Sequence, residues 1–429
     1  MERTVLTKAL IAAGVTTLLS MPVHANEAVS DFEFHGYFRA GAFSSANSDF
    51  GQALFFGQKE TLGRLGLEGD DFYELAFVQR WDWKDSDDSI RLNARLGQNT
   101  PAGGVDAMGG LNIDGIHTGL LESFVEIDGV SETGTLWAGQ RYYGRDNYIF
   151  MTDFFYTDYS GTGIGLQNVK MGGGEWDIAY IASNQSEVDD QLVGGGDGGD
   201  TPALIDYNML HAAHLRADYG NWRTEVMAKY LAKNAHGDDY ATTGLEAHVS
   251  YSPGSFFGLG DGFSTTSVQV GQGLGGSTML GRTFTNYNAF SPGGAGSQAG
   301  MSAVKSGDVT VRAQAYGGYF AGDWMFFPAV GVETTSYDDD KDSSSYWYAM
   351  VRPVYTVPSI DNFALASEFG ITDQNNNDGD AQYKATIAPT WSMATGFGPA
   401  PELRLMASYV SNADGLNDVI VGAQVDVWW

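Results

Sequence analysis

From Phe32 to Ala42 the side chains alternate with a period of two. Phe32, Phe34, Gly36, Phe38, Ala40 and Ala42 fall on one face of an extended strand, and Glu33, His35, Tyr37, Arg39 and Gly41 on the other. The same alternation sets Tyr73, Leu75 and Phe77 against Phe72, Glu74 and Ala76, and Leu92, Ala94 and Leu96 against Arg91, Asn93 and Arg95. It returns at the far end, where Val421, Ala423, Val425, Val427 and Trp429 alternate with Gly422, Gln424, Asp426 and Trp428. Segments of about ten residues, greasy on one face and polar on the other, are the pattern of a transmembrane β-barrel. In a bilayer every backbone donor must be paired, and a closed sheet is how strands achieve that. A secreted sandwich carries similar strands; the last strand, running out on an aromatic of its greasy face, favours the barrel.

Turn residues punctuate this pattern. Gly194–Asp200, Asp338–Asp342 and Asn375–Asp380 are runs of Gly, Asp and Asn between strand-like segments, and they read as long solvent-facing loops. At the N-terminus, Arg3 and Lys8 precede an apolar run from Ala9 to Met21, and Val23 and Ala25 stand three and one residues before a candidate cleavage point. That is the layout of a secretory signal peptide, so residues 1–25 are set aside as a leader and 26–429 as one barrel domain. The 404 residues left when 25 are taken from 429 hold no stretch of about 18 apolar residues, so no helical span is expected.

Composition narrows the function classes. There is no Cys, which excludes disulfides, zinc–thiolate sites and thiol catalysis. With 53 acidic against 23 basic residues, nucleic acid is an improbable partner, because phosphate contacts need clustered Lys and Arg. The chain has neither a Gly-x-Ser-x-Gly elbow nor a His-Glu-x-x-His motif, and His211 and His214, three apart, fall on opposite strand faces. No enzyme is expected. Calcium is the one cofactor the acidic loops bring up. Asp373–Asp378 departs from a calcium-binding loop where Asp378 replaces the turn Gly and Lys384 the twelfth-position Glu, so solvated loops are the better reading.

Several pieces resemble the maltoporin family in the same order along the chain: Phe34–Arg39, Arg64-Leu65-Gly66, Trp137–Tyr143, Asp153–Tyr156 and Asp158–Gly161, then Trp347, Arg352-Pro353, Gln382–Lys384, Trp391, Gly422–Gln424 and Trp428-Trp429. The likeness is clearest over residues 32–185 and 311–429 and weak from about 186 to 310. It implies an 18-stranded antiparallel barrel in the outer membrane, a homotrimer, and passive diffusion of malto-oligosaccharides or related sugars. Chain length alone permits 16 strands as readily.

The resemblance also implies site residues. An aromatic slide would include Tyr37, Phe72, Trp428, and Trp347 or its neighbour Tyr346. A polar track would include Arg39, Arg64 and Glu74, and an inward-folded constriction loop would carry Arg145, Asp153, Phe155 and Asp158. Independently, the alternation puts Tyr37, Phe72 and Trp428 on the polar faces of their strands, where an aromatic is unexpected. Sugar rings stack their C–H faces on aromatics and offer hydroxyls to charged groups, so a sugar-selective pore needs both kinds of residue. The chain departs from the family at Phe155 (a Tyr there), at Leu121 (a track Arg), near Asn99 (a slide Trp) and at mid-chain, where a slide Phe aligns only with Val268; one residue is inserted between Arg145 and Asp153. A general porin selecting by size and charge is the competing reading, and the surface loops are open to use as an adhesin or phage receptor.

Overall fold

The computed structural model describes residues 28–52, 59–68, 71–84, 88–99, 119–130, 133–185, 208–232, 241–283, 304–338, 343–374, 381–392, 401–411 and 417–429. The expected leader, residues 1–25, lies outside them, as does most of each acidic loop weighed for calcium.

Eighteen long strands follow one another around a single sheet. In chain order they are β1 (Ala28–Ser45), β2 (Phe72–Trp83), β3 (Ser89–Asn99), β4 (Gly119–Asp128), β5 (Thr135–Arg141), β6 (Gly161–Met171), β7 (Gly174–Gln185), β8 (Asn208–Tyr219) and β9 (Trp222–Leu231). Then come β10 (Thr243–Tyr251), β11 (Gly262–Gly273), β12 (Val309–Ala321), β13 (Trp324–Ser336), β14 (Ser344–Thr356), β15 (Phe363–Gln374), β16 (Gln382–Ser392), β17 (Glu402–Ser411) and β18 (Asn417–Trp428). Every neighbouring pair is antiparallel. β1 closes the ring, pairing Tyr37 with Glu74 of β2 on one side and with Trp428 of β18 on the other. No free sheet edge remains where these three strands overlap, which is the condition for crossing a bilayer.

The sheet is inside-out relative to a soluble protein. On β9 the exposed set is Trp222, Thr224, Val226, Ala228 and Tyr230, whereas Glu225 and Lys229 are buried on the other face. Connections at one end are short, with Gly220-Asn221 and Gly322-Asp323 turning in two residues. Gly220 and Gly322 have φ of 59° and 61°, the left-handed backbone such hairpins need. Outward aromatics crowd this end: Trp222 lies 4.7 Å from Tyr251, Trp324 4.8 Å from Tyr355, and Phe363 4.8 Å from Trp391. A second outward set, Tyr180, Tyr230, Trp347 and Tyr383, stands toward the long-loop end. Two aromatic girdles mark the two membrane interfaces.

Three loop segments fold into the barrel. The first, residues 59–68, seats Leu62 and Leu67 on Val410 and Ile420, and Leu65 on Ala366, Ala388 and Met406. The second, residues 142–160, packs Ile149, Met151, Phe154 and Tyr156 on Tyr316, Phe327, Tyr346, Tyr348 and Met350. A third, around Met279, packs on Leu210 and Leu231. Each fully buried side chain of this size contributes about 1.5–3 kcal/mol to holding its segment in place. The second also packs Tyr143 and Tyr159 on Trp137 of β5 and on Ala179 and Ile181 of β7, and all three lean on the wall from β8 to β18. Inward side chains there are buried, as at Glu225, Gln269, Arg312 and Lys384, whereas Phe72, Glu74, Arg91 and Arg95 of β2 and β3 stay half-exposed. The most accessible inward surface runs along β2 and β3; on β4 Glu122 and Glu126 are buried.

Candidate pore constriction

Register brings the aromatics expected from the N- and C-terminal strands together. Tyr37 stands directly across from Trp428, and its ring centroid is 5.7 Å from that of Phe72. The Arg39 guanidinium lies 5.7 Å from the Phe72 ring and donates to the Tyr37 hydroxyl at 2.8 Å. These contacts put Tyr37, Arg39 and Phe72 on one inward-facing surface.

Around it is an ionic hub that binds the two inward loops to the wall. Glu68 takes Arg64 at 2.6 Å, Lys59 at 2.7 Å and Arg39 at 3.2 Å. Burial alone would raise the Glu68 carboxyl; the three cations hold it well below the usual range. Asp153 accepts from the Tyr148 hydroxyl at 3.1 Å, from Lys59 at 3.3 Å and from Arg39 at 3.4 Å. It has φ of 54°, a backbone state that short polar side chains tolerate. Arg64 also reaches Asp426 at 3.3 Å, and Arg404 joins the same carboxylate at 3.1 Å.

Beside the hub, Arg145 is clamped between rings. Its guanidinium carbon is 3.5 Å from the Tyr142 centroid and 4.7 Å from that of Phe155, and Asp158 holds it at 2.8 Å. Phe155 in turn stacks on Tyr148 at 4.5 Å. Glu74 accepts from Arg95 at 2.9 Å and from the Tyr142 hydroxyl at 3.0 Å, which links this stack to the open wall. Leu121 packs next to Gly97 and Glu74 at an irregularity between β3 and β4, so an apolar group faces the lumen there.

Two expectations need correction. Trp347 is 42% exposed on the outer face, in the upper girdle, because it is one residue out of phase with inward-facing Tyr346 and Tyr348. Tyr346 does point inward but is only 8% exposed; it lies under the constriction loop and donates to Glu333 at 3.1 Å. Neither offers a ring to the open lumen. Val268 likewise faces outward, so it does not stand in for a slide Phe.

Sequence reasoning missed Lys59, Glu68, Tyr142, Tyr148, Arg95, Arg404 and Asp426 as members of the constriction. Arg95 and Asp426 carried a signal, since both lie on polar faces of alternating strands. Segment 59–68 has no alternation to read. Among the described residues no group of three or more His, Asp or Glu is gathered as a metal site.

A family model described as LamB porin matches residues 32–429. Two relatives are maltoporins of Vibrio cholerae serotype O1. That of the Classical Ogawa 395 strain is 27% identical over 460 residues, spanning 100% of both chains. That of the El Tor Inaba N16961 strain is 26% identical, with 92% of this chain and 94% of the relative covered. Among solved structures, OpdO of Pseudomonas aeruginosa superposes with a TM-score of 0.48 at 10% identity, covering 95% of this chain and 98% of the other. An anion-selective porin from Comamonas acidovorans gives 0.47 at 9%, with 94% and 100% covered.

Proposed function

The chain belongs to the LamB porin family, and from that premise we propose that it conducts malto-oligosaccharides or closely related sugars by passive diffusion through a lumen lined by an aromatic slide and a polar track. It is an outer-membrane sugar porin, a channel and not an enzyme. The observation that carries the finer reading is the inward surface formed by Tyr37, Phe72 and Arg39, with Trp428 in register beside it.

A pyranose laid on these rings would bury its C–H face, and its rim hydroxyls would meet Arg39, Arg64 and Glu74. Each contact is weak, and that suits conduction, because a sugar must leave as readily as it enters. Arg145 with Phe155, and Asp153 with Asp158, would set the bore. The charges of the constriction are largely paired with one another, and that pairing also suits a general eyelet selecting by size and field. Assembly as a homotrimer and removal of residues 1–25 belong to the same reading.

The deciding experiment is single-channel current through purified protein in a planar bilayer, titrated with maltotriose and sucrose, on wild type and Trp428→Ala. Concentration-dependent block that weakens in the variant supports a binding pore. Steady current with every sugar, at all concentrations, leaves a general porin.

A further inference from the structure

Phe124 lies on β4 between Glu122 and Glu126, and alternation makes it an aromatic on a polar, inward face. Its cross-strand partners are Asn93 of β3 and Gly139 of β5. Gly139 has φ of 130°, and a Cβ there would come 2.6 Å from Phe124 Cα, so no side chain stands directly opposite Phe124 on that strand. Phe124 is half-buried and is more accessible than Glu122 and Glu126, its inward neighbours on the strand, which are buried.

The ring is held from one side. The Arg141 guanidinium carbon sits 4.6 Å from its centroid and 5.0 Å from that of Trp137, and Arg141 donates to Gln167 at 3.0 Å. Among the described residues Arg141 is the only group in ring contact with Phe124. Hydrogen-bonding groups gather next to it, on Glu126. Glu126 accepts from Gln167 at 3.0 Å and from Asn93 at 3.4 Å, and Arg91 is 3.5 Å away. An aromatic in such company belongs to none of the buried apolar clusters and keeps part of its surface accessible.

We propose that Phe124, oriented by Arg141, with Asn93 across from it and Glu126, held by Arg91 and Gln167, next to it, is a further sugar-stacking subsite on the short-turn side of the constriction. It rests on the sugar-pore reading. Glu122 meets Arg95, which meets Glu74 at the constriction. Phe124 is one inward step beyond Glu122, about 7 Å at the usual strand rise. A longer oligosaccharide threading the constriction would therefore reach it, whereas a short one would not span both places.

The test is single-channel block by maltotriose and by maltohexaose on wild type, Phe72→Ala, Phe124→Ala, Phe124→Leu and Phe124→Trp. Loss of one stacking ring should weaken maltohexaose block roughly three- to tenfold in the Ala and Leu variants. Maltotriose block should change less, and Trp should retain wild-type block. Leu keeps an apolar side chain without a π-face, so it carries the test even if Ala fails to insert. Unchanged maltohexaose block in Phe124→Leu, with block weakened in Phe72→Ala, overturns the subsite and leaves the sugar pore standing. Wild-type channels that no sugar blocks overturn both.

Discussion

Lys384 and Glu368 meet at 2.5 Å across neighbouring strands β16 and β15, both out of solvent, and together they grip the first inward loop. The ammonium also donates to the Gly63 and Leu65 carbonyls at 2.5 and 2.9 Å, and Glu368 accepts the Leu65 N–H at 2.9 Å. Arg352 holds the other carboxylate oxygen. Lys384→Met would leave the Gly63 carbonyl without its donor, the Leu65 carbonyl with the Thr386 hydroxyl alone, and Glu368 with one cation fewer. Breaking a buried pair from one side costs about 3–5 kcal/mol. The expected outcome is a lower urea midpoint and faster proteolysis near Gly63; an unchanged cleavage rate would show that the loop is held by its leucines alone.

The same loop should loosen as pH rises. Burial pushes the Glu60 carboxyl up to about 7, with Lys59 opposing. Between roughly pH 4.5 and 7 the folded chain keeps this proton while the unfolded chain loses it, so folding takes up a proton there. The contribution is fully present below the unfolded pKa and is lost as pH rises through about 7. Its size is on the order of 3 kcal/mol. Glu60→Gln should flatten the difference in unfolding free energy between pH 5 and pH 8. Equal slopes in wild type and variant would remove Glu60 as the source.

Where strand alternation is regular, inside and outside are readable without a structure. Tyr37, Phe72 and Trp428 stand out because an aromatic replaces a polar residue in phase. Tyr346 and Trp347 could not be separated by type, since both are aromatic and a one-residue offset decides the face. Covering by the constriction loop, which no local pattern encodes, then removes Tyr346 from the lumen. Segment 59–68 was illegible for a similar reason: its conformation is set by Lys384 and Glu368, more than 300 residues away in sequence. The number of strands came from family resemblance, because chain length divides as well into 16.

Asp153 is the acid that faces Arg39, Lys59 and Arg64 from the constriction loop. Asp153→Asn keeps the shape and removes one negative charge, leaving these cations to Glu68 and Asp426. In a narrow aqueous lumen with low-dielectric walls one charge alters ion occupancy strongly. The variant should shift toward anions, read as a change in reversal potential across a salt gradient. A shift toward cations would mean that the loop has moved and that Asp153 is chiefly its anchor.

Arg145 tests whether the aromatic stack or the charge shapes the constriction. Its planar guanidinium lies between Tyr142 and Phe155 while Asp158 fixes its edge. Lysine preserves the charge and can still reach a carboxylate, but it has no plane to stack on two rings. Each cation–π contact is worth about 0.5–1 kcal/mol at sites open to water, and more where water is excluded. Arg145→Lys should therefore free Tyr142 and Phe155, raise open-channel noise and weaken maltotriose block by roughly three- to tenfold. Arg145→Ala should do the same and also shift selectivity toward cations. If Lys matches wild type in noise and block, the charge held by Asp158 is what the constriction requires, and the two rings serve only to fill space around it.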